Sequence, residues 1–505
     1  MEIGAGKLYT GDKFSEGGLI RIRGGKISSI EGGSGASLVT PGFIDSHLHL
    51  LGLGLSLQRL SLQDCPGMAE FKKALADYAV TCPDQWLLGR GWDQNKLGFT
   101  PDRRLLDELC PQRPVILARA CHHVVAANSL ALKLAGITED TVVEGGVLKK
   151  DDEGKLTGVL EENATSLVYA PVPAASRATL YSALVKAIQY VHCRGITGVH
   201  TDDRGQIGKY EDLWELYEQV TASYPLRVQL HYSASTPQEL EDFIRLAPEI
   251  ADTEFIHKGA VKIFIDGSLG ARTAALLADY QDDPGNSGVL VHPDDTVREL
   301  VGLAERAKVQ LAVHVIGDGG VEQFLAALSR ERGGYKAGIP HRLVHFQVTN
   351  RSQIDRAKAL GLAIEIQPVF LRTDMHWVES RLGQERLQES YCWRTLAEAG
   401  LFLNGGSDSP VEDANPWLGI DAAVTRRDGA GRFASSWRRD ESLSLEQALA
   451  LFTSAPARLA GWKSSGRIAP GCWADLAIYA EFNPANLAKN RPDTVLVQGE
   501  TVYQR

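Results

Sequence analysis

From about residue 180 onward, near-continuous apolar runs alternate with amphipathic stretches. The apolar runs are GITGVHT (195–201), LRVQLHYSA (226–234), GAVKIFIDGS (259–268), QLAVHVIGD (310–318), HRLVHFQ (341–347), LAIEIQPVF (362–370) and LFLNGGSDSP (401–410). Between them lie segments such as ATLYSALVKAIQYVHCRG, VRELVGLAERAK and RSQIDRAKALG, whose apolar residues recur at helical spacing. Apolar strands alternating with helices predict a parallel sheet covered by helices. LVTPGFIDSHLHL (38–50) brings the strand candidates to eight, the number of a TIM-type (β/α)8 barrel, and that α/β fold is the one predicted.

The pattern differs at both ends. KLYTG and GLIRIRGGKISSIEGG near the start, and ADLAIYAEF and DTVLVQGETVYQR near the finish, alternate apolar and polar residues between tight turns. Each set is too small to bury a core of its own, which predicts one composite β-domain from residues 1–38 and 463–505. The barrel then takes residues 39–60 and 176–462. Residues 61–175 break the alternation with helix-like pieces (MAEFKKALADYAV, DRRLLDELC, NSLALKLAG) and a hairpin pattern, GGVLKKDDEGKLTGVL. That is too long for a simple loop, and it reads as an inserted α+β cap subdomain over the C-terminal mouth of the barrel, where sites of this fold lie.

Composition narrows the function classes. With Lys+Arg 53 against Asp+Glu 63 the net charge is −10, and no basic run offers the patch a nucleic-acid binder needs. No window of about 18 apolar residues appears, so no transmembrane helix is expected. The start lacks a basic region followed by an apolar stretch, so the expected compartment is the cytoplasm. The seven cysteines are dispersed, odd in number and without a CxxC pair, which argues against a disulfide framework or a zinc ribbon.

The candidate chemistry sits at the predicted strand ends. His47 and His49 are two apart on a strand, so both imidazoles point to one side and can meet one metal ion. An isolated HxH is usually just two packed histidines, but the other strand ends add to it. Lys262 lies inside the apolar run VKIFIDG, where an ammonium is costly to bury. His314 lies in VHVIGD, His345 in LVHFQ and Asp408 in GGSDSP. Alone, each strand histidine reads as a core residue and Asp408 as a helix cap. Together, four histidines with a lysine and an aspartate suit one or two divalent metals of the zinc type.

These residues, with PGFIDSHLHL, VKIFIDGSLGARTA, AVHVIGDGG, LVHFQ, GSDSPVEDANPW, TSAPARLAG and GRIAPGCWADLAI, resemble the amidohydrolase superfamily nearly end to end. GRGWDQNKLG and HHVVAANSLAL resemble its YtcJ-like branch (amidohydrolase family 3). The resemblance implies a distorted barrel, a composite β-sandwich from both termini, and a metal-dependent hydrolase acting on small molecules, with homodimers in the family. It implies that Lys262 is carboxylated and bridges two metals, most often zinc. His47 and His49 match ligands of the first metal, and His314 and His345 those of the second. Asp408 matches the strand-8 ligand and catalytic proton shuttle. The reaction so implied is cleavage of a C–N bond, amide or formamide-like, by a metal-activated hydroxide. A deaminase or an esterase/lactonase on the same site is the first alternative. A catalytically inactive, interaction-only relative is the second, and it is disfavoured because no ligand is missing.

Other residues are candidate substrate contacts. Asp266 and Arg272 follow the strand-4 lysine and could equally form a loop ion pair. Trp92, Asp93, His123 and Asn128 match polar positions of the insert motifs and could equally pack the cap. Tyr391 and Arg394 precede the eighth strand, as a carboxylate clamp or as structure. Glu162 is an alternative bridging carboxylate. His122 and His200 read as structural.

Overall fold

A computed structural model describes residues 1–33, 35, 37–63, 65–119, 124–143, 146–162, 164–332, 340–429 and 437–505. The chain forms two compact units: residues 1–53 with 184–505, and residues 54–183.

The first unit contains an eight-stranded parallel barrel sheet. Its strands are β1 (Phe43–Leu48), β2 (Ile196–Thr201), β3 (Arg227–Ser233), β4 (Ile256–Phe264), β5 (Leu311–Val315), β6 (Arg342–His345), β7 (Ala363–Ile366) and β8 (Phe402–Gly405). Each pairs in parallel with its neighbours in chain order. All residues of β1, β2, β6 and β7 are buried, which is why these strands read as apolar runs without alternation. The ring is drawn together where the chain beyond β8 meets β1: Asp408 N–H donates to the His47 carbonyl (2.7 Å) and His49 N–H to that of Ser409 (2.8 Å).

The outer helices follow from sequence in the same way. Asp294–Ala307 buries Val297, Leu300, Val301 and Ala304 on one face, opens with Asp294 and Asp295 against its positive end, and stops at Lys308 in the left-handed region (φ 55°). Arg351–Ala359 starts with a capping box made by Asn350 and Gln353.

Both termini join one seven-stranded sheet: Glu2–Tyr9, Phe14–Arg23, Lys26–Gly32, Leu38–Pro41, Leu476–Tyr479, Thr494–Val497 and Glu500–Gln504. Its core mixes the two ends, with Ala5, Ile20 and Val39 against Leu476 and Leu496. The run 38–50 therefore serves two sheets. It divides at Gly42, where a Cβ would lie 2.2 Å from Thr197 Oγ1. Leu38–Pro41 pairs with Leu476–Tyr479, and only the part from Phe43 enters the barrel. A buried ion pair of Arg227, on β3, with Asp475 (2.5 and 3.3 Å) ties barrel to terminal sheet.

The second unit holds a six-stranded sheet with its own apolar clusters. The hairpin pattern forms Gly146–Lys150 paired antiparallel with Leu156–Glu162. The three helix-like pieces form Met68–Thr81, Arg103–Leu109 and Ser129–Leu134.

One outer contact gives a pH prediction. Glu305 Oε1 accepts from His341 Nε2 (2.6 Å) and from Arg332 Nε and Nη2 (3.1 and 2.9 Å). His341 Nδ1 accepts the Leu311 N–H (2.9 Å), so the neutral ring carries its proton on Nε2. The His341 hydrogen bond first, then Arg332, against the opposing effect of burial, bring Glu305 from 4.5 down to about 2. A depressed carboxyl stabilises the fold above its unfolded value, and that stability is lost as pH falls toward 2. Glu305→Gln is expected to cost roughly 1–3 kcal/mol at neutral pH. The deficit should shrink below pH 4.5. Melting temperatures of both proteins across pH 2.5–7 check this; a deficit independent of pH would refute it.

Candidate metal centre

The C-terminal ends of the barrel strands bring the sequence-selected residues together. His47 is buried on β1, and His49 follows that strand half-buried. Nε2 of each lies 3.3 Å from the same oxygen, Oδ1 of Asp408. One donor atom from each of the three residues falls within 4.8 Å of the others. Lys262, fully buried on β4, places Nζ 3.2 Å from His47 Nε2. The His345 ring, at the end of β6, lies 5.8 Å from that of His47 and 4.6 Å from that of His314 on β5.

Neighbouring groups orient these side chains. His49 Nδ1 is bound to the Asp202 carbonyl (2.6 Å), and His345 Nδ1 to Gln367 Oε1 (2.6 Å). Those bonds use Nδ1 as the donor and leave Nε2 as the atom that would face a metal, the usual preparation of a metal-binding imidazole. His314 Nδ1 faces Asp266 Oδ1 at 3.4 Å. Asp45 Oδ1 accepts the N–H groups of His47 (3.1 Å) and Ser407 (3.0 Å), holding β1 to the Asp408 turn. Two ligand candidates sit in the left-handed region, His345 at φ 78° and Asp408 at φ 56°. Such backbone costs roughly 1–3 kcal/mol for most residues and gathers at functional sites.

Burial first, then the Lys262 charge, lowers His47 to about 3. Against burial, Asp408 raises His49 to about 9. Against burial, the hydrogen bonds to His47 and His49 hold the Asp408 carboxyl well below its ordinary range. Burial lowers Lys262, opposed by Asp202, Asp408 and Glu365. An ammonium has three protons to place; among the described residues Lys262 Nζ has one hydrogen-bond partner, His47. Buried His47 Nδ1 has none. Two ring nitrogens around one carboxylate oxygen form the nitrogen and oxygen donor set that a divalent ion of the zinc type takes. The residues present fit such an ion.

The candidate substrate contacts are placed differently. Asp266 is buried and its carboxylate accepts the N–H groups of Ile316 (3.0 Å), Gly317 (2.7 Å) and Ala275 (3.1 Å). Arg272 is not its partner; it forks onto Asp282 (3.0 and 3.0 Å). Tyr391 is buried, with its hydroxyl donating to Asp374 (2.7 Å) and accepting from Gln347 (3.0 Å). Arg394 lies on an exposed helix turn against Glu398 (2.7 Å). In the second unit, Trp92 is buried and donates to the Leu117 carbonyl (2.8 Å). Asn128 caps a helix, accepting from Ala131 and Val115 and donating to Cys110 and Arg113. Asp93 is half-buried where a short helix begins, and Glu162 is exposed at a strand end. His122 and His123 lie outside the described residues. His200 is buried in the barrel against Arg342 (2.9 Å).

The orienting residues Asp45, Asp202 and Gln367 did not stand out in the sequence. Each had a trace there: Asp45 precedes the histidine pair by two, Gln367 ends an apolar run, and an Asp-Asp pair follows β2.

Known proteins resemble this chain over most of its length. Residues 37–503 match the model of an amidohydrolase family. The YtcJ protein of Bacillus subtilis (strain 168) is 36% identical over 481 residues, covering 93% of this chain and 89% of the relative. An N-substituted formamide deformylase of Arthrobacter pascens is 27% identical over 465 residues, covering 87% and 83%. A crystal structure of a metal-dependent hydrolase from Pyrococcus horikoshii superposes with a TM-score of 0.78 at 26% identity, covering 97% of this chain and 99% of that one.

Proposed function

The chain belongs to the amidohydrolase family, and on that premise we propose that it hydrolyses a C–N bond of an amide or formamide-like small molecule at a divalent metal centre. It is a metal-dependent hydrolase; the bond and the ligands are the proposal. The ligands proposed are His47, His49, Lys262, His314, His345 and Asp408, and the metal is one or two zinc ions, with Lys262 carboxylated. The observation that carries the reading is the convergence of His47, His49 and Asp408 donors within 4.8 Å, beside Lys262, at the strand ends of the barrel. An N-substituted formamide deformylase among the relatives supports the choice of bond.

Metal bound there would acidify a water and polarise the substrate carbonyl. The chain's own residues do the rest. Asp408 Oδ accepts the proton of the attacking water and returns it to the leaving nitrogen. The Asp202 carbonyl and Gln367 hold the rings of His49 and His345 in place.

Protein purified without chelator is expected to carry at least about half an equivalent of divalent metal, chiefly zinc, per chain. A panel of N-formyl and N-acyl compounds, assayed beside matched esters and aminopurines, should show turnover of the amides that chelation abolishes and added metal restores. No bound metal and no activation by zinc, manganese or cobalt would overturn the assignment of the site. Turnover of the esters or aminopurines alone would overturn the choice of bond.

A further inference from the structure

A cavity of about 520 Å³ opens at the other end of the barrel, away from the candidate metal centre. Its lining comes from the N-terminal halves of strands and the residues just before them: Gln229 on β3, Lys258 on β4, Gln310 ahead of β5 and Phe402 at the start of β8. Nothing in the hydrolase reading uses it.

The polar side chains around this cavity are sorted by what they have left to offer. Gln310 accepts from Arg342 Nε (2.7 Å) and donates to the Pro340 carbonyl. Lys258 donates to the Ile250 carbonyl and pairs with Asp252 (3.0 Å). Gln229 Oε1 accepts from Arg342 Nη2 (2.6 Å). Among the described residues that line the cavity, three polar side-chain groups have no hydrogen-bond partner: the Gln229 amide nitrogen, the Lys308 ammonium and the Arg458 guanidinium. All three are donors and two are cations. Gln229 is only 6% exposed and fixed by Arg342, so its donor is held ready. The remaining walls are apolar, including Phe243, Val309 and Leu459. Arg458 lies 3.8 Å over the Phe402 ring.

We propose that this cavity is a second binding site, for a small organic anion with an apolar body. Its carboxylate or phosphate meets Lys308, Arg458 and the Gln229 amide, and its body packs against Phe243 and Phe402. Unpaired donors without a matching free carboxylate select an anion, and the aromatic walls select an apolar substituent over a bare inorganic ion.

Calorimetric titration of the metal-loaded enzyme tests this with three probes of similar shape: benzoate, phenyl phosphate and neutral benzamide. Saturable binding of benzoate or phenyl phosphate, at least about tenfold tighter than benzamide, is the expected result. Which anion binds better identifies the headgroup. Lys308→Glu with Arg458→Glu should weaken that binding at least about tenfold, and the neutral Arg458→Gln should weaken it less. Both positions are exposed, so the melting temperature should hold in all variants. No saturable binding of either anion would overturn the proposal. Binding unchanged by the charge reversals would also overturn it, since the anion would then sit elsewhere, the metal centre included.

Discussion

Asp408→Asn is expected to leave the barrel standing and to lower turnover by about 10²–10⁴, the usual worth of a positioned acid–base group. Asparagine has nearly the same shape and tolerates the left-handed backbone that Asp408 adopts at φ 56°. It keeps the N–H that donates to the His47 carbonyl (2.7 Å), so the link between β1 and the chain beyond β8 survives. What it loses is the oxygen lying 3.3 Å from both His47 and His49 as a carboxylate. An amide oxygen accepts a hydrogen bond but does not carry a proton from water to a leaving nitrogen. Turnover, metal content and melting temperature together read the result. A variant with near-parental turnover would remove Asp408 from the proton-transfer role. One that no longer melts cooperatively would show that the residue mainly holds the barrel closed.

Much of this site was legible because a parallel barrel hides its strands on both faces. Polar residues in an apolar run are then conspicuous, and Lys262, His314 and His345 stood out for that reason. The apolar runs also marked all eight strands, since burial and not alternation sets their pattern. What periodicity could not mark was the place where one run changes sheets. Residues 38–50 read as a single strand, yet the close approach of Thr197 to Gly42 lets the backbone pass from the terminal sheet into the barrel there.

The candidate substrate contacts were less legible for a different reason. A polar side chain in a loop announces chemistry but not its partner. Arg272 looked like a partner for Asp266, whereas tertiary packing gives it Asp282 and gives Asp266 three backbone N–H groups. Asn128 has the composition of a binding residue and the hydrogen bonds of a helix cap. The orienting residues are the converse case. Asp45 and Gln367 act through backbone N–H groups and a ring nitrogen brought near only by folding.

Lys262→Ala is expected to abolish nearly all activity and to lower the metal content, with partial recovery in excess acetate or propionate. The native side chain is fully buried, with Phe264 5.3 Å from its nitrogen and His47 3.2 Å away. Burial drives its pKa down from 10.5, favouring the neutral amine. That amine can attack carbon dioxide: the N–C bond forms, one N–H proton leaves to water, and a carbamate with two oxygens results. The carbamate so formed would offer two anionic oxygens to bound divalent cations in place of a side chain that is costly to bury charged. Truncation to alanine leaves room where a short carboxylic acid can stand in for the carbamate. Lys262→Arg should stay inactive under the same treatment, because the guanidinium fills that space and keeps its charge. Turnover against acid concentration, with metal per chain measured alongside, reads both variants. Equal rescue of the two, or of neither, would count against a carbamate. A high-resolution map of metal-loaded protein grown with bicarbonate is the direct measurement: density for an unmodified amine, with a carboxylate side chain between the metals, would remove Lys262 from the bridge and leave the three-residue cluster of His47, His49 and Asp408 as the core of the site.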